Sequence, residues 1–160
     1  MKNDKFLIGI VIGIVVLVIV SLTVVLLRRP GEESYIADDT PAGVVHNYYL
    51  AVQRKDYEKA YSYLSDDLKS KPDLDKFIRD LDNYGRQSDA SLQIGETTQT
   101  DGHAQVGVAI TTYRAGGIFD SNTYTDRNTA YLQATPDGSG WRLTQFPYPY
   151  WGYDWDEAVK

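Results

Sequence analysis

Between Phe6 and Leu27 the chain runs through 22 positions, all strongly apolar except Gly9, Gly13, Ser21 and Thr23. As a helix rising about 1.5 Å per residue this run spans roughly 33 Å, enough for a hydrocarbon core of about 30 Å. Val and Ile dominate it, and in lipid a helix still follows, because the backbone has no water to bond. The run is too long for a cleaved leader, and no small-x-small site precedes Arg28. The pattern predicts a transmembrane signal-anchor helix over 6–27, with a Gly9/Gly13 pair that lets two helices approach closely. Lys2 and Lys5 flank one side and Arg28 and Arg29 the other, with no further basic residue before Arg54. That weak bias places residues 1–5 in the cytoplasm and the rest outside, in a single-pass protein of the cell membrane.

Beyond an acidic linker, 28–40, the period becomes helical. Thr40-Pro41 reads as an N-cap followed by proline at the first helical position, where no N–H is needed. Val45, Tyr48, Tyr49 and Val52 then fall on one stripe. Asp56 caps a second helix carrying Tyr57, Ala60, Tyr61 and Leu64. A third starts near Pro72, with Leu74, Phe77, Ile78, Leu81 and Tyr84, and Gly85 stands where a C-terminal cap belongs.

From about Ala90 the period is two. Strands are predicted over about 90–98, from His103, over 123–135 and over 141–146. They are separated by the tight Asp101-Gly102 turn, a Gly116-Gly117 loop and the Pro136–Gly140 turn. Three helices followed by hairpin-linked strands predict an α+β domain over 41–147, with helices on one face of a curved antiparallel sheet of about four strands. Ala104, Val106, Val108, Ile110, Ala130, Leu132 and Ala134 suit the helix side. Tyr113, Tyr131 and their Thr and Gln neighbours suit the outer face.

Composition changes the picture in two ways. Residues 30–160 hold 12 basic and 21 acidic side chains, a net charge of −9, which argues against nucleic acid as a partner. Only 22 of these residues are Leu, Ile, Val or Phe, a level that by itself suggests disorder, yet the chain carries 13 Tyr and 3 Trp. The core is therefore expected to be tyrosine-rich. There is no cysteine, which excludes disulfides, thiolate nucleophiles and lipoprotein acylation, and two histidines cannot build a three-His metal site. No phosphate loop, serine elbow or calcium loop is present, so neither cofactor nor metal is expected.

The segment from Thr40-Pro41 through Asp56-Tyr57-Glu58-Lys59-Ala60-Tyr61 to Leu64-Ser65, with the closing Gly140-Trp141-Arg142-Leu143, resembles the nuclear transport factor 2-like (cystatin-like α+β) superfamily. The resemblance covers roughly 40–147. It implies a cone of helices on a curved sheet, often a homodimer, often with a cavity between helices and sheet. The superfamily holds ketosteroid isomerase-like and SnoaL-like enzymes and also non-catalytic domains. Some of the latter stand behind one transmembrane helix as envelope scaffold subunits, such as those of type IV secretion machines. The order of anchor, linker and domain is most similar to that group.

An enzyme of this fold needs a buried carboxylate or His beside Tyr donors. The candidates for such a cavity are His46, Tyr49 and Asp126, each of which also reads as an ordinary packed or surface residue, and His103 sits at an exposed hairpin tip. No catalytic residue is assigned. The tail, 148–160, continues an aromatic run that includes Trp141, Phe146, Tyr148, Tyr150, Trp151, Tyr153 and Trp155, with Pro147 and Pro149 expected to hold it extended. It either completes the core by folding over the outer sheet face or presents an aromatic surface to a protein partner. The expected ligand or partner surface is Tyr113, Tyr131, Tyr148, Tyr150, Trp151 and Trp155. The functional expectation is a membrane-anchored, extracytoplasmic, non-catalytic binding or scaffold module. The alternative is a small-molecule enzyme of isomerase or dehydratase type, or a ligand carrier.

Overall fold

The computed structural model describes residues 10, 13–21, 33–84, 89–115 and 121–155. Contacts divide the chain into two units, Met1–Ser34 and Tyr35–Lys160. In the first, residues 13–21 are helical, and their apolar side chains from Ile14 to Val20 are exposed. Among the described residues no helix is long and apolar enough to cross a membrane. The remainder of 6–27, apart from residue 10, lies outside the described residues, as do residues 1–5 and 28–32.

The second unit opens with α1, Pro41–Gln53. Thr40 caps it, its hydroxyl accepting from Gly43 N at 3.1 Å, and Pro41 occupies the first turn. Asp56 caps α2, Tyr57–Ser62, by accepting from Lys59 N. A short helix α3, Asp66–Lys69, follows with Ser65 as its cap, so the helices number four where three are expected. Asp66 and Asp67 form its acidic first turn. α4 is Leu74–Tyr84, with the Asp73 carboxylate accepting from Lys76 N at 2.8 Å. Gly85 lies outside the described residues, as does the Gly116-Gly117 loop.

Four antiparallel strands follow in the order β1-β2-β3-β4: Asp89–Thr100, His103–Ala115, Ser121–Ala134 and Trp141–Gln145. Asp101 and Gly102, at φ 49° and 77°, make the tight turn between β1 and β2. The alternation in β2 survives in three dimensions: Ala104, Val106, Val108 and Ile110 are buried, and so are Ala130 and Leu132 across the ladder. β4 stitches the sheet to the helical half, since Leu143 N donates to Tyr63 O and Ser65 N donates to Leu143 O.

Two stretches differ from expectation. The acidic linker, expected to run through residue 40, belongs to the domain from Tyr35 onward. Ile36 N donates to Asn47 Oδ1 and Asn47 Nδ2 donates back to Ile36 O, at 2.9 and 2.8 Å. Tyr35 lies beneath the Arg54 and Lys59 cations. Gly43 is required here, because a Cβ would be driven into the Ala37 carbonyl of this strap. The second stretch is the tail. It is neither extended nor laid over the outer sheet face: turns close between Pro147 O and Tyr150 N and between Gly152 O and Trp155 N. They fold Tyr150, Trp151 and Trp155 into the core against α1 and α4. The tail therefore belongs to the same unit as 41–147.

α1 is consequently buried well beyond one stripe, from Val44, Val45 and Asn47 to Val52. The sheet, the tail and the strap each cover part of it. Rings run in contact from Tyr61 to Phe77, Trp155, Trp151, Tyr48 and Phe146, with centroids 4.9 to 6.2 Å apart. Trp155 also donates its indole N–H to Asp80 Oδ2 at 2.9 Å, an oxygen shared with Lys76. Trp155→Ala is expected to cost about 3–5 kcal/mol, against about 0.5 or less for the exposed Tyr153→Ala, as read by urea unfolding.

Burial raises the Tyr48 hydroxyl well above its ordinary value of 10.0, and burial first among causes also raises Tyr35, Tyr61 and Tyr63. The fold holds these groups protonated, so their contribution is complete below pH 10 and is lost as pH rises above it. Thermal melts between pH 8 and 11 should show Tm constant at first and then falling above pH 10.

Candidate functional site

The residues expected around a helix–sheet cavity do not surround one. Tyr49 is buried, donates to Ala90 O at 2.7 Å, accepts from Gln53 Nε2 and meets the Tyr150 ring edge-on at 5.1 Å. Gln53 Nε2 also donates to the Tyr150 hydroxyl, so this corner is closed by a polar cluster. His46 is half-buried on α1. Asp126 pairs in register with the buried Ile110, on the helix side of the sheet, and is itself exposed. His103 is exposed at the end of β2. The buried polar side chains are Asn47 and Ser65, and every buried side-chain nitrogen or oxygen among the described residues has a partner. Among the described residues no group of three His, Asp or Glu stands together to hold a metal ion.

One concavity lies on the outside. A groove of about 920 Å³ opens between β3 and the tail, beyond the point where β4 ends. Arg127, Asn128, Thr129 and Tyr131 form one wall, and Tyr148, Gly152 and Tyr153 the other, with Phe146 and Trp151 also lining it. Tyr131, Tyr148 and Tyr153 are 40%, 60% and 85% exposed. Among the described residues that line it, Arg127 is the one charged residue and none is a carboxylate. Such a site offers aromatic faces and planar hydrogen-bonding groups, but no acid–base pair.

Of the expected partner surface, the structure brings Tyr131 and Tyr148 to this groove, with Trp151 in its lining. Tyr150 and Trp155 are core residues, so these two do not form an exposed surface. The side chain of Tyr113 lies outside what the structure describes. The groove residues missed by sequence reading are Arg127, Asn128, Gln145 and Tyr153. Their one signal is the mismatch between a 14-residue β3 and a 5-residue β4, which becomes visible only when the register is known.

No family model matches the chain, and no curated protein does. Solved structures do. A SEC-C motif containing protein from Rhodopseudomonas palustris superposes with a TM-score of 0.51 at 14% identity, over 69% of this chain and 79% of that one. A second, from Psychrobacter arcticus, gives 0.51 at 17% identity, over 71% of this chain and 63% of that one. A candidate dehydratase of the NTF2-like family from Streptomyces avermitilis gives 0.45 at 16% identity, over 62% and 85%, too low to bear on the assignment. At these identities the likeness is one of fold: α+β, with several helices on a four-stranded antiparallel sheet.

At 60% and 85% exposure, Tyr148 and Tyr153 bury little of their rings. Tyr148→Ser and Tyr153→Ser together should leave Tm within about a degree or two of the parent, the behaviour of surface substitutions. A loss as large as that of a core aromatic would mean that these rings serve packing.

Proposed function

We propose that the chain is a membrane-anchored, extracytoplasmic, non-catalytic binding or scaffold module with a nuclear transport factor 2-like domain. The observation that carries the non-catalytic part is the filled interior. Tyr48, Tyr49 and Phe77 are buried in the core, and Tyr48 donates to Tyr150 O from a fully buried position. Among the described residues, the buried ones include no carboxylate and no histidine that could act as general acid or base. The binding part rests on the groove with its three exposed tyrosines, which suits contact with another protein better than turnover of a small molecule.

The anchor rests on the 22-position apolar run and on the exposure of its described side chains from Ile14 to Val20. A helix surface that is apolar all round has no favourable contact with water, and lipid resolves it. The absence of cysteine suits an exported domain as well as any other and adds nothing to orientation.

Carbonate-washed membranes should retain the full chain, and protease added to intact spheroplasts should remove the domain. Release by carbonate would sink the anchor; complete protection from protease would reverse the orientation while leaving the anchor standing.

A further inference from the structure

The two edges of the sheet are built differently. On β1 the register slips between Ile94 and Thr97, and the displaced residues are Gly95 and Glu96. A bulge with a charged residue is a standard way to twist and blunt an edge. β3 has no such device along its outer half. It pairs with β2 in unbroken register from Ser121↔Ala115 to Gln133↔His103, whereas β4 covers only Tyr131–Ala134. Residues 121–129 therefore present a regular edge with no strand beside it among the described residues, and they include no proline and no lysine. The side chains of 123–128 are exposed on both faces, Tyr124 among them at 69%. The described part of the tail faces Arg127, Asn128 and Thr129 across the groove of about 920 Å³, and the side chains of 123–128 stay exposed.

The direction of the backbone groups follows from the other end of the strand. Ala134 N donates to Gly102 O, on the β2 side, and Thr135 N donates to Gly140 O, on the opposite side. Strand alternation then aims the N–H and C=O groups of Thr123, Thr125, Arg127 and Thr129 away from β2, into open space.

We infer that this edge pairs with the same edge of a second copy of the chain, antiparallel about a two-fold axis at Thr125. Two four-stranded sheets then become one of eight. An antiparallel edge is self-complementary under a two-fold, which is what an isologous contact requires. Charge selects the place. Residues 30–160 carry a net −9, so two copies repel across most of their surfaces, but 121–129 hold one Asp and one Arg and are neutral. Charge also selects the register. An axis at Asp126 would oppose that carboxylate to its own copy, and an axis at Arg127 would oppose two guanidiniums; both are destabilising. An axis at Thr125, the midpoint of the overhang, sets Asp126 against Tyr124 of the partner subunit and Arg127 against Thr123 of the partner subunit. All nine residues are then used.

One strand pair is a small interface, and dilution dissociates it, so the test traps it covalently. The chain has no cysteine, so Thr125→Cys introduces a unique thiol. Across the proposed axis the two Cα atoms stand about 5.5 Å apart, inside the disulfide range of about 4.4–6.8 Å. Mild oxidation of the purified full chain should give a disulfide dimer from Thr125→Cys. Ser139→Cys, in the exposed turn before β4, should stay monomeric although it carries the same amino-terminal helix. Adding Arg127→Pro removes an outward N–H without touching the β2 ladder, and should cut the cross-linked fraction roughly fivefold with unchanged far-UV dichroism. Cross-linking of Thr125→Cys no better than Ser139→Cys, or indifferent to Arg127→Pro, would overturn the inference. So would preferential cross-linking through Tyr131→Cys, which would place the contact on the sheet face. None of these outcomes depends on membrane anchoring.

Discussion

The Tyr48 hydroxyl, fully buried, donates to the Tyr150 carbonyl at 2.7 Å, joining α1 to a tail about a hundred residues later. Much of the domain depends on that junction. A chain with so few aliphatic residues cannot close a core with two layers of Val and Leu, and it closes one with rings. Each ring brings a polar tip that must find a partner once it is out of water. Tyr48 finds a carbonyl, Tyr49 finds Ala90 O, Tyr61 finds Pro72 O and Trp155 finds Asp80. These bonds are directional, so they specify where the tail lies as well as that it is buried.

The use of the tail inside the domain decides what is left outside. With Trp151 and Trp155 packed beside α1 and α4, the rings of Tyr48 and Phe77 are spent on packing inside the core. The outer face of the sheet is left to Thr, Gln and Tyr, including the Thr111–Thr125 hydroxyl pair at 2.9 Å. Because the chain leaves the sheet at Gln145 to enter the core, β4 is short, and among the described residues no strand lies beside the outer edge of the far half of β3. The groove and the open edge are thus two consequences of one event, the departure of the tail inward.

Local chemistry was readable in advance wherever it is settled within a few residues. Thr40, Pro41 and Asp56 mark helix starts because a cap needs only an oxygen and the next turn of N–H groups. Asp101-Gly102 marks a hairpin because its backbone must enter φ above zero. The β2 alternation marked a buried face correctly for the same reason of short range. α3 was not anticipated, since four residues make too short a window for any period, and its cap Ser65 is fixed by Leu143 from across the fold.

By itself the sequence determined the apolar amino-terminal run, the order of helices before strands, the hairpin turns and a core that had to be aromatic. The tertiary structure alone decided which aromatics are core and which are surface. Tyr148, Tyr150, Trp151, Tyr153 and Trp155 look equivalent along the chain, and neither spacing nor composition separates them. Their fates are set by turns closed between Pro147 and Tyr150 and between Gly152 and Trp155, and by α1 and α4 waiting more than sixty residues upstream. Gly152 shows the reason in small: any Cβ there would collide with the Trp155 indole, a constraint that exists only once the tail has folded inward.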